Sequence, residues 1–283
     1  MTSKFTIENP MPPVWMMYPN ISQYSIGWRM GYGESYKWDL ADWKESLTEE
    51  EQKKYHEMFP NPIFWREYDN EDTDAYECEH IQLWNKNGKM KYSIDTMIKN
   101  HNNQEYLYFW KSSENSTDKS CLGQWQPSYF EVDIDNYTCA EQYMMAEKAR
   151  LFEDKEIEEQ IMQTSDPKLM KALGQKVKNF DQTLWDKAKY SIVLNGNYYK
   201  FAQNKEMRDF LLSTGDKVLV EASPLDTIWG IGLAEDNPKA HNLQTWRGKN
   251  LLGFALMEVR DELKRLYRHY NKINWEELKK YTK

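Results

Sequence analysis

Apolar positions along this chain recur with two periods, near 3.6 and near 2, and their order predicts the elements. In the second half, "YFEVDID" at 129–135 alternates as a strand, with Asp135-Asn136 read as the turn after it. Thr138 then opens a helix running to about Phe152, and a second helix covers Lys155 to Thr164. "DPKLMKALGQKV" at 166–177 begins a third, with Asp166 as cap and Pro167 in the first turn. "DQTLWDKAKYSIVLNGNYYKFAQN" and "KEMRDFLLSTG" read as further helices, the latter closed by Gly215 where a left-handed residue is wanted. "KVLVEAS" is a short β-branched strand, and "NLLGFALMEVRDELKRLY" is the last long helix, followed by the charged, amphipathic "NKINWEELKKYTK".

The first half is patterned less regularly. Residues 1 to about 18 are rich in Pro and Met and read as an extended run over the surface. "SLTEEEQKKYHEMF" carries a capping box, Thr48 with Glu51, and Pro60 marks its stop. "YDNEDTD" at 68–74 reads as an acidic loop, and the Asn-Gly within "IQLWNKNGKMKYSI" (Ile81 to Ile94) as a hairpin turn. The polar "KSSENSTDKS" at 111–120 marks a linker, dividing a Trp- and Tyr-rich region at 1–110 from a domain at 121–283. Helices dominate and strands are few, an α+β balance.

Composition changes the picture in one respect. The chain holds 12 Trp, 19 Tyr and 10 Phe against 12 Gly in 283 residues. Indole offers flat faces to rings, although its N–H needs a partner when buried. The formal charge of -8 excludes a global basic field, so any nucleic-acid contact is local. The N-terminus lacks a basic segment followed by an apolar run, and no stretch reaches membrane-spanning length, which fits a soluble cytoplasmic protein. Cys78, Cys121 and Cys139 are isolated and suggest free thiols. His56, His80, His101, His241 and His269 are scattered without a partner at ligand spacing, so no metal or other cofactor is implied.

Three places carry candidate chemistry. Glu141, Met145, Lys148 and Phe152 share one stripe of the helix from Thr138, and an acid and an amine on an apolar stripe shift each other's protonation. Two readings fit: a nucleophilic lysine with a proton-exchanging acid, or a "TCAE" capping box beside a lysine that reaches solvent. In "SPLDTIWGIGL" at 223–233, Asp226 either orients a ligand hydroxyl or caps a turn. Trp229 either stacks on a ring or fills core, and Gly230 and Gly232 let backbone approach. In "TWRGKNLLG", Arg247, Lys249 and Asn250 precede a helix start; they form either a phosphate site or a solvated loop.

Six blocks between Leu122 and Glu262 together resemble the NADAR, or YbiA-like, family. They are "LGQWQPSYFEVD", "YTCAEQYMMAEKARLF", "DPKLMKALGQKVKNFDQTLWD", "NGNYYKFAQN", "LVEASPLDTIWGIGL" and "WRGKNLLGFALMEVRDEL". Many relatives carry a Ser-Asn or Ser-Gln pair where Gly123-Gln124-Trp125 stands here, so the serine hydroxyl is absent while the Gln-Trp pair remains. The resemblance implies a helix-rich YbiA-like α+β domain with N-glycosidase activity. The substrate class it implies is ADP-ribosylated guanine in nucleic acid, or ribosylamino intermediates of the riboflavin pathway; a non-catalytic ADP-ribose reader is the other possibility. It assigns the family's helix acid to Glu141 and its lysine to Lys148. With that assignment Lys148 is the expected nucleophile and Glu141 the proton shuttle, while Asp226 holds ribose hydroxyls or assists proton transfer. Gln124, Trp125, Trp229, Gly230, Arg247 and Asn250 are the expected substrate contacts. Ahead of that domain, aromatic and basic pairs such as "GWRMGYG" are suited to stack on bases, or the region at 1–110 binds a protein partner.

Overall fold

A computed structural model describes residues 5–63, 65, 90–99, 104–113 and 117–281. The acidic loop at 68–74 and the Asn-Gly turn lie outside the described residues. The chain divides into two compact units: Met1–Trp65 with Glu131–Asp135 and Glu262–Lys283, and Arg66–Phe130 with Asn136–Asp261. This division differs from one at 111–120. The chain-terminal segments share the first unit, and a strand ahead of residue 110 pairs inside the second. Among the described residues no helix is long and apolar enough to cross a membrane.

The first unit holds α1 (Val14–Met17), α2 (Gly27–Met30), α3 (Tyr32–Glu45) and α4 (Glu49–Met58). The capping box at Thr48 and Glu51 forms, and α4 stops at Phe59 before Pro60. The Pro- and Met-rich start is not a surface run: Met11, Trp15, Met16, Met17 and Tyr18 are buried. Its carbonyls explain why. Tyr36 Oη donates to Pro12 O at 2.6 Å, Tyr55 Oη to Met11 O at 3.0 Å and Trp43 Nε1 to Phe5 O at 3.1 Å. Extended backbone supplies the acceptors that buried aromatic tips require. Trp28 of "GWRMGYG" is likewise buried and donates to Ser22 O at 2.7 Å, so its ring faces core and not a base.

In the second unit, α5 (Ile94–Lys99) follows Ser93, whose Oγ accepts from Thr96 N, so the end of the expected hairpin is helical. β1 (Tyr106–Phe109) pairs in parallel with β4 (Val218–Glu221), in a register of Tyr106 to Val218 and Phe109 to Glu221. β2 (Phe130–Val132) and β3 (Asp135–Tyr137) form a second pair, whose turn at Asp133-Ile134 lies within the Glu131–Asp135 segment of the first unit. The turn precedes the expected Asp135-Asn136 because Asp133 takes the left-handed conformation there, with φ of 56°.

Between the strands run α6 (Ala140–Leu151), α7 (Lys155–Gln163), α8 (Pro167–Gly174), α9 (Gln182–Gln203) and α10 (Lys205–Ser213). Asp154, Asp166 and Asp181 cap α7, α8 and α9 through their carboxylates, and Gly215 has φ of 61° after α10. Such helices and few strands make an α+β architecture.

β4 is the fulcrum of the site. One edge bonds β1; the other is bonded by the side chain of Asn250, the residue before α11 (Leu251–Leu266). Asn250 Oδ1 accepts from Glu221 N at 3.0 Å and its Nδ2 donates to Leu219 O at 2.9 Å, replacing a neighbouring strand. Close approach requires glycine at 253, where a Cβ would stand 2.1 Å from Leu219 O. Gly253→Ala is expected to lose about 3 kcal/mol of stability by overpacking, measured as a lower urea midpoint at unchanged slope.

Candidate active site

A cavity of about 620 Å³ opens in the second unit between α6, α8, α9, the end of β4 and the loop that follows. Four indoles line it, from Trp110, Trp125, Trp185 and Trp229, with Met144 and Met145. Its polar groups include Lys111, Gln124, Glu141, Lys148, Lys171, Glu221 and Asp226. A mostly apolar wall with a few converging polar groups is the ordinary form of a small-ligand site.

Lys148 and Glu141 both face this cavity because they stand seven residues apart on α6, close to two turns. Lys148 Nζ donates to Gly174 O at 2.7 Å and lies 4.3 Å from the Phe180 ring centre and 5.4 Å from that of Trp185. Among the described residues no carboxylate pairs with it, and burial pushes its ammonium below the ordinary lysine range. Glu141 is buried. Desolvation raises its carboxyl to about 7, opposed by Lys171 and by a hydrogen bond from the Trp125 side chain.

The "TCAE" capping box does not form. Thr138 N and Oγ1 donate instead to Gln142 Oε1, at 2.7 and 3.0 Å, and Cys139 takes the cap position. The Glu141 side chain is thereby released toward the cavity. Behind it, Gln124 O accepts from Glu141 N at 3.0 Å, and Gln124 Oε1 accepts from Asn197 Nδ2 at 3.0 Å. Lys200 is fully buried, with its Nζ 2.9 Å from Gly123 O, and desolvation lowers its ammonium to about 8. These contacts from α9 fix the Gly123-Gln124-Trp125 segment.

Asp226 caps a turn, the second of its two sequence readings, and also reaches the cavity wall. Its Oδ1 accepts from Ile228 N at 2.9 Å and Trp229 N at 2.8 Å, which is a capped turn. Its Oδ2 lies 3.9 Å from Lys171 Nζ, within the cavity wall. Trp229 also lines the cavity.

The remaining predicted contacts lie elsewhere. Gly230 packs behind the wall, where a Cβ would stand 2.9 Å from Glu221 O. Asn250 is fully buried and occupied by β4, and Arg247 is exposed and absent from the cavity lining. The N-terminus of α11 offers no phosphate cradle. Lys249, Asn250, Leu251 and Leu252 donate their N–H groups to the carbonyls of Thr227, Gly230, Ile228 and Trp229. Donors already spent on protein carbonyls are unavailable to an anion.

Three charged residues of the cavity were missed from sequence: Lys111, Lys171 and Glu221. Lys171 sits on the half of α8 that reads as a solvated face. Glu221 ends the apolar strand "KVLV", where a lone carboxyl among buried neighbours was the available signal. Its Oε2 is buried without a hydrogen-bond partner, and desolvation, then Asp226 and Glu141, raise the carboxyl to about 8.

Glu141 and Glu221 therefore hold protons in the folded protein at pH values where the unfolded chain has released them. Stability is expected to fall as pH rises from the ordinary carboxylate range through 7 and 8, by several kcal/mol in total. Above pH 8, Lys200 acts oppositely, since the folded chain releases a proton that the unfolded chain keeps. Melting curves across this range should show a minimum near pH 8, shallower in a Glu221→Gln variant.

Comparison with known proteins places the chain in a family. The NADAR domain matches residues 108–264, more than half of the chain. The chain belongs to the NADAR family. It is 43% identical over 163 residues to N-glycosidase R617 of Acanthamoeba polyphaga mimivirus, covering 56% of this chain and 96% of that protein. N-glycosidase YbiA of Escherichia coli (strain K12) is 30% identical over 157 residues, covering 56% of this chain and 88% of its own. The NMR structure of E. coli YbiA aligns with a TM-score of 0.47 at 26% identity, over 58% of this chain and 88% of that one. The NADAR match begins within β1 and so includes Trp110 and Lys111 of the cavity wall.

Proposed function

We propose that this NADAR chain is an N-glycosidase that removes ADP-ribose from guanine bases of nucleic acid. The observation that carries the reading is Lys148, a desolvated amine without a carboxylate partner among the described residues, on the wall of a cavity that also holds Glu141. An amine so placed is a nucleophile, because the lone pair is free once the proton leaves.

On this reading Lys148 Nζ attacks the anomeric carbon, and the bond to the base nitrogen breaks with its electrons passing to that nitrogen. Glu141 accepts the proton that Lys148 sheds. The ribose opens to a Schiff base on Lys148 as the remaining N–H proton passes to the ring oxygen, water adds to the imine carbon, and the carbon–lysine bond breaks to return the amine. Asp226, with Oδ2 toward the cavity, holds ribose hydroxyls. The indoles of Trp125 and Trp229 flank rings, and Lys111 and Lys171 supply positive charge for phosphates.

Incubating the protein with a guanine-ADP-ribosylated DNA oligonucleotide tests the reading. Loss of the ADP-ribosyl mass from the strand is the expected result. A strand whose mass never changes overturns the proposed substrate.

A further inference from the structure

Glu221 has no place in the scheme above, yet it stands at the end of β4 in the wall of the same cavity. Its backbone is fixed on both sides: its N–H is held by Asn250 Oδ1 at 3.0 Å, and its carbonyl accepts from Ile231 N at 3.0 Å. Its Oε2 is enclosed without a hydrogen-bond donor among the described residues. A carboxylate cannot be left so without large cost, whereas a neutral carboxylic acid can. The groups around it reinforce this: Glu141 from α6 and Asp226 from the following loop disfavour a further negative charge, and Lys171 from α8 opposes them.

We infer that Glu221 is the general acid of the reaction, giving its proton to the base nitrogen as the glycosidic bond breaks. The inference rests on the N-glycosidase reading and deepens it. Glu221 becomes a carboxylate in that step, while Glu141 takes the proton from the Lys148 ammonium formed by attack. When water adds to the Schiff base, the proton it releases returns to Glu221. When the carbon–lysine bond breaks, Glu141 returns its proton to the lysine nitrogen. Base and ribose then differ from substrate by one water, and both carboxyls and the amine are restored. Two acids in one cavity thus take opposite roles, Glu141 held by an indole hydrogen bond and Glu221 without one.

The test compares wild type with Glu221→Gln on the ADP-ribosylated oligonucleotide across pH. Glu221→Gln should lower kcat by about 10²- to 10⁴-fold, with KM little changed, and should abolish the alkaline fall in kcat expected of the wild type. Infrared difference spectra of the free protein should show a protonated carboxyl band that titrates on the alkaline side of neutrality and disappears in Glu221→Gln. A Glu221→Gln protein that keeps the wild-type rate and pH profile overturns the inference and leaves the N-glycosidase reading standing. A carboxyl band absent from the wild type also overturns it, independently of any substrate. A wild type that cleaves nothing overturns the N-glycosidase reading, and the role of Glu221 falls with it.

Discussion

Lys148→Ala is expected to lower kcat by about 10³-fold or more on the ADP-ribosylated oligonucleotide, because no other described amine is held in the cavity in the same way. Lys171 also lines the cavity, but its side chain is half exposed and pairs with Asp226 at 3.9 Å, whereas Lys148 has no carboxylate partner among the described residues. The fold should be unaffected, since the Lys148 contacts are one hydrogen bond to Gly174 O and two ring faces. Borohydride added during turnover should fix a ribosyl adduct on the wild type and none on Lys148→Ala. A Lys148→Ala protein with wild-type turnover would remove the Schiff base from the mechanism.

Glu141→Gln carries the second largest effect, about 10²- to 10⁴-fold in kcat. A carboxyl raised to about 7 divides between acid and base near neutrality, which suits a group that takes a proton and returns it within one cycle. Glutamine keeps the size of the side chain and an acceptor for the Trp125 indole but cannot accept the proton. The rise of kcat with pH through neutrality should therefore shift in the variant to the titration of Lys148. Since the carboxyls of this cavity interact, the measured midpoints belong to the cluster as a whole. An unchanged acidic limb together with an unchanged rate would leave Glu141 a structural acid only.

The candidate site was partly legible because α6 displays Glu141 and Lys148 by periodicity alone. Seven residues on a helix give one face, whatever surrounds them. The same argument fails for Asn250 and Arg247. A basic, polar run before a helix signals an anion site only when the first N–H groups are free, and here the carbonyls of 227–230 occupy them. It fails also for Glu221 and Lys171, which no local pattern joins to α6. Their convergence depends on β4, α8 and α6 reaching one cavity from distant stretches of chain.

The sequence by itself determined the helices of the second half, the caps at Thr48 and Asp166 with Gly215 closing α10, the strand at 218–221, the excess of indoles and the shared face of Glu141 and Lys148. These follow from side-chain period and from local hydrogen bonds that need only neighbouring residues. The tertiary structure alone decided which aromatics are core, how the Pro-rich start supplies acceptors to buried phenols and indoles, and which carboxyls lose their water. Desolvation depends on what packs around a group, so the neutral state of Glu221, unlike its position in the chain, belongs to the fold.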